Sequence, residues 1–239
     1  MDLVLDIGKH RLKGAAFEGG ILQGSFTLPL EIANLQTVLE HREYDAIYIF
    51  SLNPAFEKQT SILPFSFSKI DFSKITVAKE VDTPEEVTPY RIANVFGALH
   101  HFPQNDCIVV DLGRAITFDI VGRQGAYLGG AICSGPDFEK EMLGKFAFNL
   151  PTEEVPKTTQ QEIELGLYYG LLGKVERITS ELRLRLDSMS DVKVLATGGL
   201  ISRFESDKLT EDLSELVDTI DPALTLTGIY EIALEQKEK

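Results

Sequence analysis

Ile108-Val109-Val110-Asp111-Leu112-Gly113-Arg114-Ala115-Ile116-Thr117-Phe118-Asp119-Ile120-Val121 reads as two strands joined by a tight turn. The apolar run before Asp111 has the composition of a buried strand, and Phe118-Asp119-Ile120-Val121 starts the next one. A carboxylate two residues ahead of a glycine, at the end of a buried strand, is a layout suited to phosphate and cation. The carboxylate can hold a cation, and glycine lets backbone N–H groups approach a phosphate closely. The chain opens with a weaker copy, Leu3-Val4-Leu5-Asp6-Ile7-Gly8-Lys9-His10. Two such turns at the heads of two halves say far more than either alone.

Outward from each turn the plan repeats. In the first half a second strand over 14–17 meets the hairpin signal Glu18-Gly19-Gly20 and a third strand over 21–26. In the second half the Phe118 strand leads through Gly122-Arg123-Gln124-Gly125 to a strand over 126–132. The shared plan spans 1–27 and 106–133. A strand–strand–strand opening of this kind is antiparallel and excludes the start of a dinucleotide-binding βαβ unit. It predicts a duplicated α/β fold, with an N-terminal half over 1–105 and a C-terminal half over 106–239 facing a cleft. Further elements are expected as helices within 37–43, 89–99, 138–146, 162–186 and 224–236. Strands are expected at 45–51, 75–78 and 192–196, the last ending in Thr197-Gly198-Gly199-Leu200.

Composition narrows the function classes. The 239 residues carry 23 Lys and Arg against 37 Asp and Glu, a net charge of −14. Such a surface argues against nucleic acid or an anionic membrane as partner, since both require positive patches. The two cysteines, Cys107 and Cys133, are too few for a disulfide framework or zinc site. Asp2 and Asp6 interrupt the apolar start, and no apolar run approaches a bilayer span. A cytoplasmic protein is the expectation.

Two carboxylate–glycine turns facing each other suit ATP. One turn wraps the terminal phosphates and the other supports a cation, while Gly198-Gly199 lets adenine or ribose lie against bare backbone. These pieces resemble the type III pantothenate kinase family, within the superfamily of acetate and sugar kinases, Hsp70 and actin. The resemblance rests on Asp6-Ile7-Gly8, Arg91-Ile92-Ala93-Asn94, Val110-Asp111-Leu112-Gly113 and Thr117-Phe118-Asp119. It rests equally on Tyr127-Leu128-Gly129-Gly130-Ala131-Ile132, Thr159 seven residues before Gly166, Ala196-Thr197-Gly198-Gly199-Leu200, and 221–228.

The resemblance implies an actin-like ATPase (ribonuclease H-like) fold and the ATP-dependent phosphorylation of pantothenate, the first step towards coenzyme A. It implies Mg2+, a monovalent cation (K+ or NH4+) and a homodimer. By position, Asp6, Gly8, Lys9, His10 and Lys13 would form the first phosphate loop, with Asp6 also near metal. Asp111 would hold the monovalent cation. Arg114, Thr197, Gly198 and Gly199 would contact nucleotide, and Arg91 and Thr159 would contact pantothenate.

The departures fall at the chemistry. The family's Asp-x-Gly-Asn-Thr ends here in Lys9-His10, and its Asp-x-Gly-Thr-Ala-Thr-Thr has Arg114 and Ile116 for two threonines. The Gly-x-Asp-Arg motif, which supplies substrate clamp and base, reads Thr88-Pro89-Tyr90-Arg91. Tyr90 thus occupies the base position. A positioned base is worth on the order of 10²–10⁴-fold in rate, and a phenol with a pKa of about 10 is neutral at pH 7.

Alternatives stay open on residues alone. Asp111 could merely cap its turn. The cluster Lys9, His10, Arg11 and Lys13 could attract phosphate or be a solvated turn. Arg114 could grip phosphate, or fold across the site onto Asp6 or Asp111. His100 and His101 are expected to cap the carbonyls of their helix end. Two function classes follow: a pantothenate kinase with altered phosphoryl transfer, and a silent member kept for binding, regulation or dimer partnership.

Overall fold

A computed structural model describes residues 1–77, 81–144, 149–152, 154–186, 191–203 and 208–237. The chain divides into two compact units, one of Met1–Thr76 with Ala223–Lys239 and one of Val77–Pro222.

The first unit runs β1 (Asp2–Ile7), β2 (Arg11–Glu18), β3 (Ile21–Pro29), α1 (Ile32–Glu40), β4 (Ala46–Ser51), α2 (Pro54–Thr60) and β5 (Ser68–Lys69). The β2–β3 hairpin turns on Gly19 and Gly20, with φ of 58° and 84°, the left-handed pair that a two-residue turn between twisted strands requires. Along β1 the side chains alternate. Leu3, Leu5 and Ile7 pack with Leu35 and Leu39 of α1 and Phe56 of α2, leaving Val4 and Asp6 on the other face.

The second unit begins with α3 (Pro89–His101), followed by β6 (Cys107–Leu112), β7 (Ala115–Val121) and β8 (Tyr127–Ser134). It continues through α4 (Pro136–Leu143), α5 (Thr159–Arg185), β9 (Lys193–Thr197), α6 (Lys208–Ser214) and β10 (Thr219–Ile220). The last helix, α7 (Leu224–Lys237), belongs to the first unit.

The sheets run β3-β2-β1-β4-β5 and β10-β9-β6-β7-β8. With β1 matched to β6, β2 to β7 and so on, order and direction agree throughout: two antiparallel pairings, then two parallel ones. The duplication expected from two short stretches therefore extends over both sheets. The bounds of the units differ from the expected division at 105/106. The helix that follows each sheet in the chain packs within its own unit on strands of the other sheet, α3 on β6 and β7, and α7 on β1, β2 and β4.

Some elements depart from the sequence reading. The strand expected at 75–78 is absent at residues 75–77, and position 78 lies outside the described residues. The strand of that region is β5, where only Ser68 and Lys69 pair, too short for any periodicity to show. α4 starts at Pro136 and stops at Gly144, whose φ of 116° ends the helix in a left-handed residue. Residues 145–146 of the expected helix are outside the described set. α6 and β10 carried no prior signal. His101 does not cap a carbonyl; its Nε2 lies 2.8 Å from the Asp221 carboxylate. No helix among the described residues is long and apolar enough to cross a membrane.

Candidate functional site

β6 and β7 are apolar on one face and polar on the other. Ile108, Val110, Leu112, Ile116, Phe118 and Ile120 are buried with Leu167, Tyr168 and Leu171 of α5 and Leu209 and Leu213 of α6. The intervening positions bring Asp111, Thr117 and Asp119 to the opposite face, under α3. Strand register pairs Asp111 with Thr117 on β7 and with Thr197 on β9, so three polar side chains form a row across the sheet. From α3, Arg91 and Asn94 reach this face together because i and i+3 share one side of a helix.

The contacts are specific. Asn94 Nδ2 donates to Asp111 Oδ2 at 3.4 Å. Arg91 Nε donates to Asp119 Oδ1 at 2.6 Å, and the Thr117 hydroxyl donates to Asp119 Oδ2 at 3.0 Å. The Arg91 guanidinium lies over the Tyr127 ring, 5.2 Å from its centroid. Asp119 is completely buried. Burial pushes its carboxyl up to about 6, against the Arg91 charge and the hydrogen bonds from Arg91 and Thr117, which pull it down, while the Asp111 charge adds a small push upward. Removing one partner of such a buried pair costs about 3–5 kcal/mol, because the other charge is left without compensation. Burial, together with the Asp119 carboxylate, also pushes the Tyr127 phenol up.

The turn after Asp111 is fitted closely on two sides. Gly135, ahead of α4, donates its N–H to the Arg114 carbonyl at 2.9 Å, and a Cβ at Gly135 would fall 2.2 Å from the Gly113 carbonyl oxygen. Gly198 has φ of 113°, and a Cβ there would fall 2.5 Å from both Asp111 Oδ1 and the Leu112 nitrogen. Only glycine suits that position. Around Gly199 the space is open. Thr197 is fully buried, and its hydroxyl has no hydrogen-bond partner. A buried hydroxyl left unpaired costs roughly 1–3 kcal/mol, so this orphan beside Asp111 marks a place prepared for a polar ligand.

Arg114 takes neither of its two expected roles in this structure. Its two Nη atoms donate to both oxygens of Glu141 on α4, at 2.6 and 2.7 Å, and its guanidinium lies 5.4 Å from the Phe138 ring centroid. The pair raises the arginine and lowers the glutamate from their ordinary pKa values. Thr159 is the first residue of α5 and exposed; the N-cap is its neighbour Thr158, which accepts from the Gln161 N–H. α5 covers the sheet face opposite Asp111. Tyr90 is the second residue of α3, half-buried, after Pro89 in the first helical position that suits proline.

The first unit holds the other expected loop. Asp6 is buried and sits opposite Lys13 on β2 and Phe50 on β4. Gly8 donates its N–H to the Arg11 carbonyl at 3.0 Å, closing the turn, and Lys9 and His10 are exposed.

Asn94, Thr117, Asp119 and Tyr127 fall within the sequence motifs, which imply no role for them. Strand alternation from Asp111 and Thr117 to Asp119, and the Arg91–Asn94 spacing, carried the signal. Glu141 had none, because its partner lies in a different element.

The sequence profile of the type III pantothenate kinase family matches residues 3–181. The type III pantothenate kinase of Legionella pneumophila (strain Paris) is 30% identical over 256 residues, covering 96% of either chain. That of Thermobifida fusca is 37% identical over 164 residues, covering 65% of this chain and 61% of the relative. Among solved structures, a Campylobacter jejuni protein assigned to the Baf family of transcriptional activators is similar with a TM-score of 0.57 at 20% identity, over 99% of this chain and 100% of that one. Component A of (R)-2-hydroxyglutaryl-CoA dehydratase from Acidaminococcus fermentans is similar with a TM-score of 0.52 at 15% identity, over 100% and 99%. Those two likenesses show the fold, an actin-like one. On its sequence, the chain belongs to the type III pantothenate kinase family.

Proposed function

We propose that this chain transfers the terminal phosphoryl group of ATP to the hydroxyl of pantothenate, in the cytoplasm. The observation that carries the reading is the row of Thr197, Asp111 and Thr117 with Gly198 bare against it. One carboxylate, one amide from Asn94 and one unpaired hydroxyl form a polar set with the Gly198 backbone packed directly against it and open space at Gly199. Among the described residues no cluster of three or more His, Cys, Asp or Glu could hold a metal unaided. A single carboxylate fits a cation that shares its oxygen shell with phosphates and water. Asp111 and Thr197 would hold such an ion and its phosphates, and the ion would supply charge neutralisation. Mg2+ and K+ or NH4+ are the ions in this reading, with Asp6, Gly8, Lys9, His10 and Lys13 as the first phosphate loop.

The chain's own residues then position. Arg91 grips the acid's carboxylate, and Gly198 and Gly199 admit the nucleoside. The active form in this reading is a homodimer, and Phe138, Met142 and Leu143 of α4 are exposed apolar side chains open to such an interface.

A second reading is favoured by Tyr90. A phenol in place of the base carboxylate supports a member that binds without turnover. An assay with ATP, Mg2+, K+ and pantothenate separates the two. Turnover at an ordinary kinase rate, lost in Asp6→Asn, establishes the kinase; ATP-dependent thermal stabilisation without turnover, with activity gained in Tyr90→Asp, establishes the silent member. Absence of any stabilisation by ATP ends both.

A further inference from the structure

Asp119 has no part in the chemistry set out above, yet both of its carboxylate oxygens are engaged. Its side chain is wholly buried, with Arg91 on one oxygen and Thr117 on the other. A buried charge is costly unless paired and hydrogen-bonded, so a pair of this kind is built rather than incidental. Arg91 is fixed at its Nε edge by Asp119 and across one face by the Tyr127 ring, while its side chain stays 13% exposed. A planar fork fixed in this way presents its terminal N–H groups in one orientation, the geometry that meets a carboxylate with two parallel bonds. Asn94, one turn further along α3, meets Asp111 instead.

We propose that Asp119, backed by Thr117 and Tyr127, is a positioning residue that aims Arg91 at the carboxylate of the acceptor acid. In doing so it sets the preference of the site for acids over neutral analogues. The proposal rests on the reading that Arg91 grips the carboxylate of pantothenate. Asp119 touches no substrate; it acts through Arg91. The matching position of the first sheet, two residues beyond Lys13 on β2, is Ala15, so the device belongs to the second unit alone.

The test compares pantothenate with pantothenol, its neutral alcohol analogue, in wild type, Asp119→Asn and Thr117→Val. Asp119→Asn is expected to raise KM for pantothenate about 10- to 100-fold, the range for losing a hydrogen bond to a charged group. KM for ATP and kcat should change by less than about twofold, and the kcat/KM preference for pantothenate over pantothenol should fall with the pantothenate KM. Thr117→Val leaves the ion pair in place and should move KM the same way by about two- to fivefold. It carries the test alone should Asp119→Asn fail to fold. An unchanged KM and acid preference beside a lower Tm would overturn the proposal and leave Asp119 a packing residue. A fall in kcat alone would overturn it too. A wild-type protein stabilised by ATP but indifferent to pantothenate would overturn the acceptor reading and this proposal together, a result visible before any variant is made.

Discussion

Asp6 and Asp111 hold the same fifth position in the first strand of two sheets with identical order, and they are surrounded differently. Across the antiparallel pair Asp6 meets Lys13, where Asp111 meets Thr117. Across the parallel pair Asp6 meets Phe50, where Asp111 meets Thr197. The loop after the parallel strand also differs. The N–H that bonds back to the residue after the aspartate comes from Leu52, two beyond Phe50, but from Leu200, three beyond Thr197. The extra residue in the second unit makes room for the Gly198-Gly199 pair. Duplication therefore conserves backbone order, while the chemistry sits in which side chains flank the carboxylate and in one added glycine. The first turn is a carboxylate beside a cation the chain itself provides; the second is a carboxylate with an unfilled polar neighbour.

The comparison can be broken at several points. The largest effect is expected from Asp111→Asn, which removes the carboxylate whose neighbours include an orphan hydroxyl. Steady-state kinetics should show kcat down by on the order of 10²-fold or more. If Asp111→Asn matched wild type while Asp6→Asn did not, the second turn would be structural and the contrast reversed.

Gly198→Ala comes next. The added Cβ meets Asp111 Oδ1 and the Leu112 nitrogen at 2.5 Å on a backbone with φ of 113°. Urea unfolding should show a loss of about 1–3 kcal/mol.

The third concerns Asp119, for which the first sheet has Ala15. Its folded pKa of about 6 lies above the ordinary 3.8. The native state therefore holds a proton between those values that the unfolded chain has released. Stability from this group is fully present below about pH 4 and is lost as pH rises through 6. Unfolding free energies of wild type minus Asp119→Asn should move in favour of wild type by about 1–3 kcal/mol between pH 7 and pH 4. A flat difference would show that Arg91 holds the carboxyl in the ordinary range.

The smallest effect is expected from Thr197→Val. Without ligand the variant should be as stable as wild type or up to about 1 kcal/mol more stable, since an unpaired buried hydroxyl has been removed. Nucleotide-dependent thermal stabilisation should shrink. Unchanged stabilisation would leave the orphan hydroxyl without a ligand to serve.

Much of this fold was legible in two short stretches. A buried strand, an aspartate, a glycine turn and a returning strand have a period-two signature that survives without any knowledge of partners, and its repetition gave the duplicated plan. Positions that depend on pairing across elements were less accessible. Arg114 reads as a candidate for phosphate or for Asp6 and Asp111, because only the folded chain puts Glu141 of α4 within 2.7 Å of it. Asp119 reads as part of a strand, but nothing local says that Arg91, 28 residues earlier, will be its partner. β5 and β10, two residues each, are strands only because a neighbour pairs with them. The division at 105/106 was drawn where the repeat begins, and a repeat in sequence does not reveal that the intervening helix packs forward rather than back.

That exchange of helices has a consequence for biogenesis. Phe17 stacks on Tyr230 with ring centroids 4.1 Å apart, and Tyr230 donates its hydroxyl to Asp2 at 3.1 Å, so α7 lies on the strand face that carries Asp6. Everything needed for the second unit emerges from the ribosome in one continuous stretch. The first unit, although its strands are made first, waits with one sheet face uncovered until residues 224–237 have been synthesised. A nascent chain halted after residue 222 should hold a finished second unit and an unfinished first, with the aspartate of the first turn open to water and to chaperones.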